Sequence, residues 1–276
     1  MKLALVVLIL VLAISVTQPT AQRPVIPIPA LGIIGARGNN GIGVAGINWD
    51  TSMMLLKIGA RGIRRGEKDL RRKELAAKAI RYAVDNGARL INWSGFVDDK
   101  DPADLRLLQE AFDYAESRGV LIVPGAGSNG TNFDEPQNAV YPQAFRNENI
   151  LRVAEVNFLG ELDTKSGADK ISASTFGKRT VHLAAIGRNY TTTVRNGRSA
   201  YDVAGGTSNS APVATGVAAL IFSIRPGLSG QQVKQILMSS IDRLRNLADN
   251  LVSGGVIDAY AALTLAQRYQ RPGAAP

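Results

Sequence analysis

Cysteine is absent from the 276-residue chain, and histidine occurs only once, as His182. The lack of cysteine excludes disulfide bonds, thiolate metal sites and a cysteine nucleophile. A single histidine excludes a cluster of histidine ligands around a metal. The fold must therefore be stabilised by its hydrophobic core or by bound ions.

Long apolar runs are rare, and one of them opens the chain. In "MKLALVVLILVLAISVTQPTAQ", Lys2 precedes an apolar stretch over residues 3 to 14, and small and polar residues follow. This order is typical of a secretory signal peptide, and the stretch is shorter than the ~20 residues of a membrane-spanning helix. We expect residues 1–21 to be a signal peptide, cleaved after Ser15 or Ala21. The mature protein is then secreted, with no membrane partner.

Acidic residues are outnumbered, since 23 Asp and Glu face 32 Lys and Arg, which gives a net charge of +9. The basic residues crowd into "KIGARGIRRGEKDLRRK", residues 57 to 73, without interleaved aromatic residues. We interpret this segment as a solvated loop and the start of a helix, and we expect no nucleic-acid partner. An acidic protein partner for the segment is the alternative.

The remaining chain alternates apolar strands with helical patterns. "SMMLLKI", "RLINWS", "VLIVPG", "NILRVAEV" and "TVHLAA" are predicted strands, and "EKDLRRKELAAKAIRYAVDNGA" and "DPADLRLLQEAFDYAESRG" are predicted helices, the second capped by Asp101. Wholly apolar strands separated by helices indicate an α/β fold of three layers, with a mainly parallel sheet covered on both faces. We predict one domain at residues 32–270, between a Pro-rich lead-in at 22–31 and a frayed tail at 271–276.

Ser208 stands before another apolar run, in "GGTSNSAPVATGVAALIFSI", residues 205 to 224. Spacing alone favours a helix cap, because Ser is a preferred N-cap residue. The alternative is a nucleophile, since the free N–H groups of a helix start stabilise a negative oxygen. Pro212 has no N–H, so the carbonyl group of Ser208 is expected to lack its usual partner within the helix.

The segment "GTSNSAPVATG" resembles the signature around the nucleophile of the subtilisin-like serine peptidases. "GNNGIGVAGINWD", "AVDNGARLINWS", "VLIVPGAGSNGTNFD", "YPQAFRNENILRVAEV" and "SASTFGKRTVHLAAIG" follow in the order and spacing of the same family. The resemblance implies a mainly parallel, doubly covered sheet and a peptide or protein substrate. It makes Ser208 the nucleophile. Ser94 and Gly95 would pair with the backbone of the substrate, and Gly125, Ala126 and Gly127 would form the wall of the side-chain pocket. The family's oxyanion-binding Asn corresponds to Ser128, and Asn129 comes next.

The resemblance also implies what is missing from the catalytic triad, which in this family runs Asp, His, Ser along the chain. Counting back from Gly32, the position of the catalytic His is Pro29, and the Asp strand falls within the predicted signal peptide. We therefore expect an N-terminally truncated member, lacking a central strand and a helix, with lost or strongly reduced activity. The sheet would then have an open edge that invites a partner strand. His182 replaces an Asp of many relatives, on a different strand from that of the triad His, which argues against a substitute base.

Two alternatives stay open beside this hypothesis. In the first, an active peptidase, the missing part is lost from the gene model or is supplied by another chain. In the second, a noncatalytic protein holds an extended peptide along residues 94 to 96 by strand addition. Binding of a peptide by the purified chain without cleavage would favour the second alternative over the first.

The same resemblance suggests a calcium ion in the loop "GNNGIGV". The ligands implied are the carbonyl groups of Gly38, Ile42 and Val44 and the side chain of Asn40, with waters completing a shell of 6–8 oxygens. A plain Gly/Asn-rich turn is the alternative. Asn129 and Asn189 lie in Asn-x-Ser/Thr sequons for glycosylation, and Asn92 matches too, but on a buried strand.

Overall fold

The computed structural model describes residues 6–11, 28–58, 67–96, 102–162, 164, 173–188, 190–193 and 201–269. The strands are β1 (Val6–Val11), β2 (Ser52–Lys57), β3 (Ala88–Trp93), β4 (Leu121–Pro124), β5 (Val153–Val156), β6 (Leu183–Ile186), β7 (Tyr190–Thr193), β8 (Tyr201–Ala204), β9 (Ile241–Arg243) and β10 (Gly255–Ile257). The helices are α1 (Ile28–Gly35), α2 (Glu67–Asp85), α3 (Pro102–Ser117), α4 (Thr207–Ile224), α5 (Gly230–Ser239) and α6 (Ala259–Arg268).

The main sheet is mostly parallel, as the apolar strands predicted. Four strands run in the order β2-β1-β3-β4 and four more in the order β5-β6-β10-β9. Parallel bridges from Ile122 to Ile150 and from Gly125 to Val153 join β4 to the segment that carries β5. Only the β9–β10 pair in these two groups is antiparallel. The α/β fold class with a mainly parallel sheet is confirmed.

Helices cover both faces of this sheet because each helix has an apolar side to bury. On one face, α4 packs against α1, α6 and strands β3 to β6, through buried residues such as Ala214, Ala218 and Phe222. On the other face, α2 and α3 pack together around Ile80 and Phe112. Helix α4 is long and apolar enough to cross a membrane, but 72% of it is buried inside the fold. It is therefore a core helix of the fold.

The start of the chain departs from the prediction. Strand β1 lies within the predicted signal peptide, and it pairs in parallel with β2 on one side and β3 on the other. The expected open edge is therefore wrong for this structure, since Val6–Val11 fills the centre of the sheet. Helix α1 begins at Ile28, inside the predicted lead-in, and packs on α4, so the expected loss of a helix is also wrong. The signal peptide itself stays a prediction.

Several elements after residue 186 were not predicted from the sequence. These are the β7–β8 hairpin, α5, β9, β10 and α6. The cap of α5 carries a usable signal, because Ser229 and Gln232 form a capping box of the pattern Ser-x-x-Gln. Asp258 likewise accepts the N–H of Ala261 at the start of α6. The predicted cap Asp101 of α3 and the sequon residue Asn189 lie outside the described residues.

Candidate active site

Ser208 lies in the first turn of α4 and does not cap it. The helix begins at Thr207, and the N-cap is Gly206, with φ of 112°. This left-handed backbone region favours glycine, which explains the glycine at the sharp entry to the helix. The interpretation of Ser208 as a cap is therefore wrong. As the second helical residue it is exposed, and its backbone N–H belongs to the turn where N–H groups lack intrahelical acceptors.

The carbonyl group of Ser208 has found a partner outside its helix. Pro212 has no N–H to donate to this carbonyl oxygen, as the sequence indicated. The hydroxyl of Ser94 donates to it instead, at 3.1 Å, across 114 residues of sequence. Ser94 follows directly on β3, so this hydrogen bond ties the start of α4 to the carboxyl end of the central strand.

Buried polar side chains hold Ser94 in turn. The amide nitrogen of Asn92 donates to the Ser94 hydroxyl at 3.0 Å, and the Thr215 hydroxyl donates to the Asn92 amide oxygen at 3.1 Å. Asn92 and Thr215 are both fully buried. Because a buried amide must have both ends paired, this set of bonds fixes β3 against α4 in one register. Asn92 is thus structural, and its sequon is closed to modification in the folded chain.

Glu155 secures the other side of the helix entry. Glu155 lies on β5 and is buried, and its carboxylate accepts the backbone N–H of Gly206 at 2.9 Å. The same oxygen accepts from the Arg188 guanidinium at 3.1 Å. Glu155 was not predicted from the sequence, although a lone Glu within the apolar strand "VAEV" was a usable signal. A buried carboxylate requires such a partner, since an isolated one is costly.

A cavity of about 160 Å³ opens beside Ser208. It brings together every residue of the predicted peptide cleft, namely Ser94, Gly95, Gly125, Ala126, Gly127, Ser128, Asn129 and Ser208. Phe96, Phe133 and Val140 add apolar surface, and no charged side chain is among the residues that line it. We call this cavity the peptide cleft. Its lining suits an uncharged side chain, and the roles of the individual residues stay predictions.

Gln143 joins the two walls of the peptide cleft. Its amide nitrogen donates to the carbonyl oxygens of Gly95 and Gly125, at 2.8 and 3.0 Å. These two glycines follow β3 and β4, so the bonds hold the strand ends at a fixed separation. Gly125 also approaches the helix start closely, because an added Cβ would lie 2.7 Å from the carbonyl oxygen of Thr207. No spacing rule pointed to Gln143, since its partners are 18 and 48 residues away.

The two predicted oxyanion donors are placed differently. The Ser128 hydroxyl lies 3.2 Å from the Thr207 hydroxyl oxygen, which also accepts the backbone N–H of Gly127 at 3.2 Å. Asn129 is exposed, and its backbone forms a parallel bridge with Ala173. Either side chain lines the peptide cleft near Ser208. The backbone N–H of Ser208 provides a further donor for a negative oxygen.

No proton acceptor reaches the Ser208 hydroxyl within the part of the chain that the structure describes. Pro29, at the expected position of the catalytic His, lies in α1, and its carbonyl oxygen accepts from the Thr192 hydroxyl at 3.2 Å. His182 lines a different cavity, where its Nδ1 accepts the backbone N–H of Arg152 at 2.9 Å. Burial, and then the charges of Lys234 and Arg152, lower the pKa of His182 well below 6.5.

The predicted calcium loop is exposed and closed on itself. The Asn40 amide oxygen accepts the backbone N–H of Ile42 at 3.0 Å, which is the bond of an Asx turn. Gly38, Ile42 and Val44 could offer only carbonyl oxygens, and no cluster of three His, Asp or Glu occurs among the described residues. Calcium prefers six to eight oxygens including carboxylates, so these residues alone do not fit a complete shell. A calcium ion in this loop stays a prediction.

Comparison with known proteins gives a consistent set of matches. A model of the subtilase family matches residues 30 to 256. The chain is 30% identical over 251 residues to subtilisin-like protease 1 of Plasmodium falciparum (isolate 3D7), covering 85% of this chain and 34% of that protein. It is 32% identical over 192 residues to the major intracellular serine protease of Bacillus subtilis (strain 168), covering 70% and 53%.

Solved structures agree on the fold. The patellamide maturation protease PatA superposes with a TM-score of 0.69 at 21% identity, covering 96% of this chain and 98% of that one. Among the curated relatives, this chain spans about a third of the malarial protein and about half of the Bacillus protein.

Proposed function

Since the chain belongs to the subtilase family of serine peptidases, we propose that it binds extended peptides beside Ser208 but hydrolyses them very slowly or not at all. The observation that carries this proposal is the Ser208 hydroxyl, which has no imidazole or carboxylate partner within the described ranges. A serine hydroxyl becomes a nucleophile only when a neighbouring base accepts its proton.

The peptide-binding part of the proposal is supported by the shape of the peptide cleft. Ser94 and Gly95 continue β3 at the carboxyl end of the sheet, where α/β folds bind their ligands. Gln143 holds Gly95 against Gly125 on the opposite wall, so the cleft is preformed. The uncharged lining favours a leucine or phenylalanine side chain before the bond that a peptidase would cleave.

The loss of hydrolysis is supported by what stands at the triad positions. Helix α1 presents Pro29 where the family resemblance placed the imidazole, and proline has no group that accepts a proton. In a triad peptidase, removing the Ser or the His lowers kcat about 10⁶-fold, and binding with the oxyanion donors leaves only about 10³–10⁴ over water. We expect a residual rate in this range.

Hydrolysis and binding can be measured separately on the full chain. The parent, Ser208→Ala and the control Ser223→Ala, an exposed serine of the same helix, are incubated with a fluorogenic peptide carrying leucine before the scissile bond. We expect the same low residual rate from the parent and from Ser208→Ala, and no labelling of Ser208 by a fluorophosphonate. Fluorescence anisotropy is expected to give the same peptide Kd for all three chains.

Turnover at an ordinary rate of 1 s⁻¹ or more that disappears in Ser208→Ala would overturn the proposal. It would favour the alternative in which another group or chain supplies the base. Secretion also remains a proposal. N-terminal sequencing of the exported protein tests it, because the first residue shows whether cleavage follows Ser15 or Ala21. Either cleavage would remove β1 from the sheet.

A further inference from the structure

A second cavity, of about 560 Å³, shares Phe133 with the peptide cleft but is otherwise lined by different residues. We call it the basic pocket. The ionisable residues of its lining are Arg146, Arg152, Arg179, His182, Lys234, Glu148 and Tyr141. Four groups that ordinarily carry positive charge therefore face one carboxylate. None of them takes part in the proposed peptide chemistry.

Among the described residues, two of these cations are paired only with backbone carbonyl oxygens. The Arg152 guanidinium donates to the carbonyl oxygens of Gln143 and Phe145 and, at 3.3 Å, of Thr180. The Lys234 ammonium donates to the carbonyl oxygen of Glu148 at 3.0 Å. Within the described ranges, the only cation of the basic pocket with a carboxylate in salt-bridge range is Arg179, whose partner is Asp134.

The uncompensated charge affects the groups that share the basic pocket. Burial lowers the pKa of Arg152 to about 10. Burial and then the charge of Arg152 lower the pKa of Lys234 to about 8, although the carboxylates of Glu148 and Glu116 act in the opposite direction. The basic pocket therefore disfavours the charged forms of Arg152 and Lys234, and a bound negative charge would stabilise them.

His182 adds a hydrogen-bond donor of defined position. Its Nδ1 accepts the N–H of Arg152, so the neutral ring carries its proton on Nε2. The lowered pKa keeps the ring neutral at pH 7. Nε2–H has no acceptor among the residues that the structure describes, although the ring lines the basic pocket. A neutral donor beside two cations is the arrangement expected for an oxyanion.

We propose that the basic pocket binds a small inorganic oxyanion of the size of phosphate or sulfate. Lys234 and Arg146 supply charge, the Nε2–H of His182 donates a hydrogen bond, and Arg152 contributes through its field. Because Arg152 also holds the carbonyl group of Gln143, whose side chain bridges the walls of the peptide cleft, the bound anion stiffens that cleft. The anion site does not depend on whether Ser208 is active.

The test uses the full, untagged chain at pH 7 in a buffer without oxyanions. Sodium phosphate at 10 mM is compared with sodium chloride at equal ionic strength. With a Kd of about 1 mM, phosphate is expected to raise Tm by about 3–5 °C more than chloride does. His182 is the only histidine, so its ring signal in a proton NMR spectrum reports the site directly. We expect that signal to shift with phosphate and to saturate near the same Kd.

Variants then connect the binding to the basic pocket. Lys234→Met is expected to weaken phosphate binding at least about tenfold, and Lys234→Arg to retain most of it. The matched control is Lys178→Met, since Lys178 also donates to a carbonyl oxygen, that of Ala248, but lies outside the pocket. Arg146→Ser, at an exposed position, serves if Lys234→Met fails to fold. An equal phosphate effect on all variants, or a His182 signal that drifts without saturating, overturns the proposal. Sulfate in place of phosphate distinguishes which of the two oxyanions binds more tightly.

Discussion

The ion pair behind the helix entry gives a sharp test of how the Ser208 turn is held. Glu155 is 2% exposed, and its carboxylate accepts from the backbone of Gly206 and from Arg188. In Glu155→Gln the neutral side chain can still accept one hydrogen bond, but Arg188 loses the negative charge of this carboxylate. Breaking one side of a buried ion pair costs about 3–5 kcal/mol. The Arg188 side chain is 18% exposed, so water compensates part of this, and we expect about 3 kcal/mol.

The loss is measured as the free energy of unfolding in urea, with equal m values for the two chains. At about 2–4 °C per kcal/mol for chains near this size, Tm falls by roughly 6–12 °C. Glu110→Gln is the matched control, because it removes the partner of Arg106 in an exposed pair and should change stability by less than about 1 kcal/mol. If Glu155→Gln costs no more than Glu110→Gln, the turn before Ser208 is not held by this carboxylate, and the reasoning fails.

Three further predictions concern the start of the chain, the helix entry and the basic pocket. In the uncleaved chain, Leu8→Pro removes a ladder N–H from β1, an interior strand, and is expected to lower the free energy of unfolding by at least about 2 kcal/mol, whereas Leu8→Ile should be nearly neutral. An unchanged Tm would mean that the folded protein does not use this strand. Gly206→Ala forces a side chain onto a φ of 112° and should lower the free energy of unfolding in urea by about 1–2 kcal/mol. An unchanged value would mean that the turn adopts another backbone conformation without cost. The pKa of Lys234 is about 8 when folded against 10.5 for free lysine, so the unfolded chain binds more protons between pH 8 and 10.5, and stability rises with pH there. Lys234→Met lacks this rise, so its stability relative to the parent should fall from pH 7.5 to pH 10, and a constant difference would contradict the lowered pKa.

Local pattern was enough to identify most elements of the sheet and its covering helices. Strands β3 and β4 are buried along almost their whole length, and α3 starts at Pro102, as predicted from the sequence. Two helices in the last fifty residues were missed although their signals were present, as the caps Ser229 and Asp258 and, in α5, the buried Val233, Ile236 and Leu237 at helical spacing. The candidate nucleophile and its cleft came from the family signature, and their roles stay predictions.

What the sequence determined by itself is strands β2 to β6 and helices α2 to α4, the parallel class of the sheet and the family signature around Ser208, because each depends on residues within a few positions of one another. Only the tertiary structure decided the rest. It made Gly206 the cap, placed Val6–Val11 inside the sheet, and brought Ser94 to the carbonyl group of Ser208 across 114 residues. Such contacts depend on which buried groups remain unpaired once the layers pack, and periodicity along the chain carries no record of that.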